Sequence, residues 1–302
     1  MANAKNIILL SEKSSGSSAC QNLLVKFAQV QNIDKTRHFE NESLYWTKAA
    51  SILGKPQIKM VDSEVPIPPA KARSDLIALL TDNLDDYLVP ESDEELIVEG
   101  WRKLCKHYSP IFLEKSPHHL CQWSALELIL EQIQKVDDVD VLVIGLVRNP
   151  MDTLYSQYTR WRTAPERVEK QWLLAYQNLL ELKEILGEQL VIIRYEDIVS
   201  SLDCMQPIFR FCGTTASRAD DDFLHQKSLQ QWKSDKLFGF SLSEETLALS
   251  EKYGYTREEL ANKAHPFWFL ARRTLRLIHL IVSPTRTFLL MLLNKGRGLL
   301  RG

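Results

Sequence analysis

Closely spaced cysteine pairs are missing from this sequence. The five cysteines, at positions 20, 105, 121, 204 and 212, have neither the spacing of a zinc knuckle nor that of a secreted disulfide framework, and they read as reduced residues. Long apolar runs are also scarce. The first, Ile7 to Leu10, is too short for a signal peptide. In the C-terminal stretch, LIHLIV is stopped by Ser283 and Pro284 and TFLLMLL is short, so neither reaches the ~20 residues of a membrane span. Linkers, repeats and low-complexity segments are absent too, so the expectation is a single domain over residues 1–302, cytoplasmic. A uniform charge is lacking as well. Residues 267–302 hold seven basic residues and no acidic one, which leaves the rest of the chain with 30 basic against 39 acidic residues. An acidic body excludes a general nucleic-acid binder, and any phosphate must be held by locally placed groups.

The apolar residues that are present fall in short, unbroken runs. Ile7–Leu10, Val141–Val147 and Leu190–Ile193 do not alternate, and Ile111–Leu113 and Ile58–Val61 are shorter versions. Between the second and third runs, residues 164–186 repeat apolar side chains at helical spacing and stop before Gly187, a C-cap signal. Runs of this kind separated by helices predict an α/β fold with a parallel β-sheet covered on both faces. Ligands in such sheets sit beyond the C-terminal ends of the strands. Polar clusters follow the runs at those ends: SEKSSGSS, DSEVP, EKSPHH, RNPMDTLYSQY and RYED.

The first cluster, with Ser14, Ser15, Gly16, Ser17 and Ser18, leads from a strand into a helix start, where backbone amides and hydroxyls can hold an anion. No lysine follows Gly16 as a Walker loop requires, and no second glycine makes a dinucleotide fingerprint. Taken alone, the turn reads first as an ordinary loop with a helix cap. In RNPMDTLYSQY, Arg148 stands at a strand end and Ser156 lies two helical turns on, so the two can grip one phosphate from two sides. A salt bridge from Arg148 to Asp152 is the competing reading. Two anion grips on one sheet edge point to a doubly phosphorylated nucleotide.

These segments, in this order, resemble the sulfotransferase family, whose donor is 3′-phosphoadenosine 5′-phosphosulfate (PAPS). IILLSEKSSGSSACQNLL is similar to its 5′-phosphosulfate loop, FLEKSPHHL to its Lys-Ser/Thr-Pro element, VLVIGLVRNPMDTLYSQYTRW to its 3′-phosphate segment, and VIIRYEDIVSSLDCMQPIFRFCG to its RYEDL segment and following helix. The resemblance implies a P-loop-like fold with about five parallel strands, transfer of a sulfuryl group without a metal, and adenosine 3′,5′-bisphosphate as product. It further implies 5′-phosphate contacts from Gly16, Ser17 and Ser18, and 3′-phosphate contacts from Arg148 and Ser156. Ser14 occupies the place where relatives carry a basic residue, with Lys13 one step earlier, so Lys115 gains weight as the cation near the transferred group. The base is one of Glu64, His118 and His119, with Glu64 placed first and His119 next. Trp232 and Lys233 are candidates for the nucleotide or acceptor cleft, while Arg194 and Glu196 read as locks on the sheet edge.

The acceptor expected is a small natural product offering a hydroxyl or amine, and cationic if the acidic body steers it. The basic, apolar residues 267–302 are expected to form a helical extension that contacts a membrane surface, covers an acceptor pocket or packs in a homodimer. A small-molecule kinase and a nucleotide-binding protein without turnover are the alternatives.

Overall fold

The computed structural model describes residues 3–215, 229–267, 269–271 and 274. Most of the basic tail therefore lies outside the described residues. The chain divides into two compact units, one within Met1–Leu229 and Ser243–Leu260, the other within Gln230–Leu242 and Ala261–Gly302.

The first unit is built on five parallel strands: β1 (Ala4–Ser11), β2 (Gln31–Asn32), β3 (Ile111–Lys115), β4 (Val139–Val147) and β5 (Leu190–Arg194), in the order β2-β3-β1-β4-β5. Both neighbours of β1 are separated from it by long crossovers, which a parallel pairing requires. Helices α1 (Ser17–Phe27), α2 (Tyr45–Ile52), α3 (Pro69–Asn83), α4 (Asp93–His107), α5 (Trp123–Lys135), α6 (Pro150–Trp161) and α7 (Pro165–Leu186) fill the connections. Short helices α8 (Tyr195–Ser200) and α9 (Gln206–Cys212) follow β5, and α10 (Glu244–Lys252) and α11 (Arg257–Leu260) complete the unit.

The unbroken apolar runs are explained by burial on both sheet faces. Ile7, Leu9, Ile144 and Leu146 pack with Leu23 and Leu24 of α1 and with Ile208 and Phe209 of α9. Ile8, Leu10, Val143 and Val147 are also buried. Asn6, a polar residue inside β1, is satisfied by donating to Phe112 O at 3.0 Å and by accepting from the Trp101 indole at 3.3 Å. Helix α7 ends at Gly187, whose φ of 52° and N–H bond to Lys183 O match the expected C-cap.

One strand expectation is corrected. Ile58–Val61 is not in the sheet, because its backbone groups are taken by side chains instead of a ladder. Gln122 accepts from Ile58 N at 2.9 Å and donates to Ile58 O at 3.0 Å, and Gln171 accepts from Val61 N at 2.7 Å. The fifth strand is β2, two polar residues on the edge, where no apolar signature exists. Among the described residues no helix is long and apolar enough to cross a membrane.

In the second unit, Phe238, Phe240 and Phe269 form an aromatic cluster with ring centroids 5.7 to 6.2 Å apart. Asn262 ties it by donating to the carbonyls of Phe238 and Phe240.

Candidate functional site

Strand order brings the ends of β3, β1 and β4 side by side, with Leu9 in register with Lys115 and Ser11 with Leu146. The residues that follow these ends line a cleft of about 930 Å³. One side of it is the β1–α1 turn. Gly16 takes φ 89°, and a Cβ there would stand 2.3 Å from Tyr195 Cδ2, so the ring and the turn fit only with glycine. Helix α1 has no side-chain cap at Gly16, so its leading amides are left for another acceptor. Ser14, Gly16, Ser17, Ser18, Arg148 and Ser156 all line this cleft. Arg148 is buried, donates to Ser14 O at 2.8 Å, and lies over the Tyr195 ring at 5.0 Å. The β4–α6 connection thereby holds the preceding turn in place. Asn149 caps α6 by accepting from Met151 N and Asp152 N.

Several expected residues take other roles. Ser15 turns away from the cleft, its hydroxyl paired with the Tyr176 phenol at 2.9 Å in the core. Lys13 lines the cleft, but its ammonium donates to the carbonyls of Val61 and Asp62 at 3.1 and 2.7 Å. It clamps the 58–65 loop to the turn. Beneath it, the buried Glu12 accepts from Gln171 at 2.6 Å and from Gln157 at 3.3 Å, and burial raises its carboxyl above the usual range.

Lys115 ends β3 with its side chain 1% exposed, donating to Ser18 Oγ at 3.2 Å and standing 3.7 Å from both Glu40 and Glu42. Pairing with Glu114 is excluded by strand alternation, since that carboxylate accepts from Ser116 at 3.0 Å and lies 3.0 Å from His119 Nε2. Burial lowers the Lys115 ammonium, and Glu42 and Glu40 offset part of this.

His119 is corrected as a base. It is fully buried, with Nδ1 at 2.8 Å from the Thr47 hydroxyl and Nε2 on Glu114, so neither nitrogen is left for an acceptor. Burial raises the Glu114 carboxyl, but His119, Ser43 and Ser116 overcome this and hold it below its usual range. His118, one residue earlier, lines the cleft. Burial, with Lys13, His119, His38 and Lys48 nearby, pushes its ring well below the ordinary histidine range and keeps it neutral. Glu64 also lines the cleft, held by Lys71 at 2.9 Å and facing His38 at 3.5 Å.

Arg194 and Glu196 lock the sheet edge as expected. Arg194 holds Asp197 at 2.9 and 2.6 Å, and Glu196 accepts from Asn149 N and from the Tyr255 hydroxyl. Trp232 and Lys233 belong to the second unit, where the Lys233 ammonium lies 5.2 Å from the Trp232 ring centroid. Two acidic residues that sequence reasoning did not single out, Glu40 and Glu42, join the cleft from the 36–44 loop. They follow β2, a short polar strand with no apolar run, so the search of strand ends passed them by. Among the described residues no cluster suited to a metal ion occurs.

Comparison with known families settles the class. The model of the sulfotransferase family matches residues 6–218. The chain belongs to the sulfotransferase family. Among solved structures, this sulfotransferase is similar to the sulfotransferase domain from the Synechococcus PCC 7002 olefin synthase, with a TM-score of 0.54 and 18% identity, covering 84% of this chain and 96% of that one. It is also similar to the sulfotransferase domain from the curacin biosynthetic pathway, with a TM-score of 0.52 and 17% identity, covering 84% and 98%. No curated protein matches the chain. The family and the five-stranded parallel sheet support an enzyme that transfers sulfuryl groups.

Proposed function

We propose that this sulfotransferase moves the sulfuryl group of PAPS to a hydroxyl or amine nitrogen of a small-molecule acceptor, releasing adenosine 3′,5′-bisphosphate. The observation that carries the reading is one cleft holding both anion grips, the uncapped α1 terminus beyond Gly16 and the Arg148–Ser156 pair, together with His118 and Glu64. A cleft of about 930 Å³ suits a nucleotide and a small acceptor together. The turn fits the donor's 5′-phosphate, since Gly16 leaves the backbone bare and the first amides of α1 lack a protein acceptor. Arg148 and Ser156 are assigned to the 3′-phosphate.

When bound, PAPS supplies an activated sulfuryl group on a phosphate leaving group. The chain's own residues do the rest. Ser17 and Ser18 orient the phosphate end, and Lys115 neutralises charge gathering on the leaving oxygen. His118, neutral and on the cleft, is placed to take the acceptor's proton, ahead of Glu64, which is already occupied by Lys71. The neighbours' origins in an olefin synthase and the curacin pathway support a biosynthetic small molecule as acceptor.

Calorimetric titration with adenosine 3′,5′-bisphosphate, AMP and ATP–Mg²⁺ tests the donor assignment, followed by transfer of labelled sulfate from PAPS to candidate acceptors. The bisphosphate is expected to bind about 10- to 150-fold more tightly than AMP, the worth of one charged phosphate contact of ~1.5–3 kcal/mol. Arg148→Ala should erase most of that difference. Preference for ATP–Mg²⁺ would instead favour a kinase.

A further inference from the structure

The 36–44 loop presents a carboxylate between His118, which lines the cleft, and Lys115, which is buried behind Ser18 and Glu42. Glu42 directs one oxygen to Lys115 Nζ at 3.7 Å and the other to His118 Nδ1 at 3.8 Å. Its side chain is 17% exposed, and the backbone around it is pinned from three sides. The Glu42 carbonyl accepts from the Thr36 hydroxyl at 2.5 Å, Asn41 donates to Ile33 O at 2.8 Å, and Leu44 N donates to Ser116 Oγ at 2.9 Å. The last bond ties the loop to the β3 end that carries Lys115 and His118. His118 Nδ1 is buried without a hydrogen-bond partner, so Nε2 is the ring nitrogen left for the cleft.

We propose that Glu42 is a positioning residue for His118, holding its proton on Nδ1 so that the Nε2 lone pair faces the acceptor, and stabilising the imidazolium formed when Nε2 takes the acceptor's proton. The proposal rests on the sulfotransfer reading for its catalytic half only.

Such a residue is needed because burial and the nearest cationic and imidazole neighbours of His118 oppose a proton. Lys13 from the β1–α1 turn, Lys48 from α2, His38 from the same loop as Glu42, and His119 all disfavour the cation, as does burial. Among the described residues, Glu42 is the carboxylate within 4 Å of a His118 nitrogen. A separation of 3.8 Å exceeds a hydrogen bond, and apo contacts of this type tighten in the substrate complex. A single proton moves from the acceptor's O–H or N–H to Nε2, with Nδ1–H kept throughout. Because the same carboxylate also faces Lys115, donor binding that draws Lys115 toward the leaving oxygen frees Glu42 for the imidazolium.

The test uses the full chain with ¹⁵N-labelled histidine, with and without adenosine 3′,5′-bisphosphate, and a His118→Asn variant to assign the signals. At neutral pH the His118 shifts should report the Nδ1–H tautomer, and Glu42→Met should convert it to a mixture or to Nε2–H. An Nε2–H tautomer in the parent protein overturns the proposal, whether or not the variant folds and whether or not PAPS is the donor. In turnover with PAPS, Glu42→Gln should lower kcat at least 10-fold, and Glu42→Asp should restore part of the loss. Loss confined to KM would also overturn it.

Discussion

If the donor's 5′-phosphate binds at the β1–α1 turn as proposed, Glu40 stands in its way, which makes Glu40→Gln a sharp perturbation. Its carboxylate accepts from the Ser18 hydroxyl and lies 3.7 Å from Lys115 Nζ, both groups assigned to the donor's 5′ end. It is held there on a backbone at φ 56° and ψ 35°, a left-handed conformation uncommon for glutamate. A phosphate binding at the turn must displace this carboxylate or sit against it. Two unit charges 3.7 Å apart interact by about 4.5 kcal/mol at an effective dielectric of 20. Glu40 is 60% exposed, however, so water and salt reduce the net effect to about 1 kcal/mol. Removing the charge while keeping the side-chain shape should therefore tighten binding of adenosine 3′,5′-bisphosphate and of AMP by about fivefold. Adenosine, which has no phosphate, should bind unchanged. Isothermal titration of all three ligands at low and moderate salt provides the assay, and the gain should shrink as salt rises. If phosphate-bearing ligands bind no better to Glu40→Gln, or if adenosine gains as much as they do, Glu40 is not a stand-in for the phosphate.

Gly16→Ala should weaken bisphosphate binding at least 10-fold and destabilise the protein by about 1–2 kcal/mol, since φ 89° suits glycine and the new Cβ would collide with Tyr195; unchanged melting and affinity would refute the fit. His119→Ala should cost about 3 kcal/mol in urea unfolding by stripping Glu114 of its buried partner, whereas His118→Asn should leave stability within about 0.5 kcal/mol and lower kcat by ~100-fold or more. The reverse pattern would exchange their roles. Burial lowers Lys48 from 10.5 to about 8, so between those values the unfolded chain holds a proton that the folded chain lacks, and stability rises with pH across the window. Lys48→Met should flatten that rise relative to the parent in urea melts from pH 7.5 to 10, and parallel curves would show that Lys48 is not buried as described.

The sheet was legible because β1, β3 and β4 are buried on both faces, and an apolar run is the direct signature of that burial. The edge strand was not, because two residues with one paired side need no apolar pattern. Ile58–Val61 misled for a related reason: an apolar segment can satisfy its backbone through glutamine side chains far along the chain, and nothing local records which partner it finds. At the site, the place of Gly16, Arg148 and Ser156 on the cleft could be read from the sequence because it depends on position relative to a strand end, which is a local property.

The histidine pair marks the boundary between the two kinds of information. The sequence determined that two adjacent histidines follow β3 and that neighbouring side chains on a tight turn point in different directions, so one faces the cleft at most. Which one it is was decided by Thr47 and Glu114, which close around His119 from α2 and β3 and use both its nitrogens. The same holds for Lys13 and Lys115. Their charges are written in the chain, but Lys13 is spent on the carbonyls of a loop 48 residues away, while Lys115 reaches Ser18 only because β1 and β3 lie side by side. Backbone periodicity is a short-range property of the chain, whereas the partner of a charged side chain is set by strand order and loop closure, which only the folded molecule supplies.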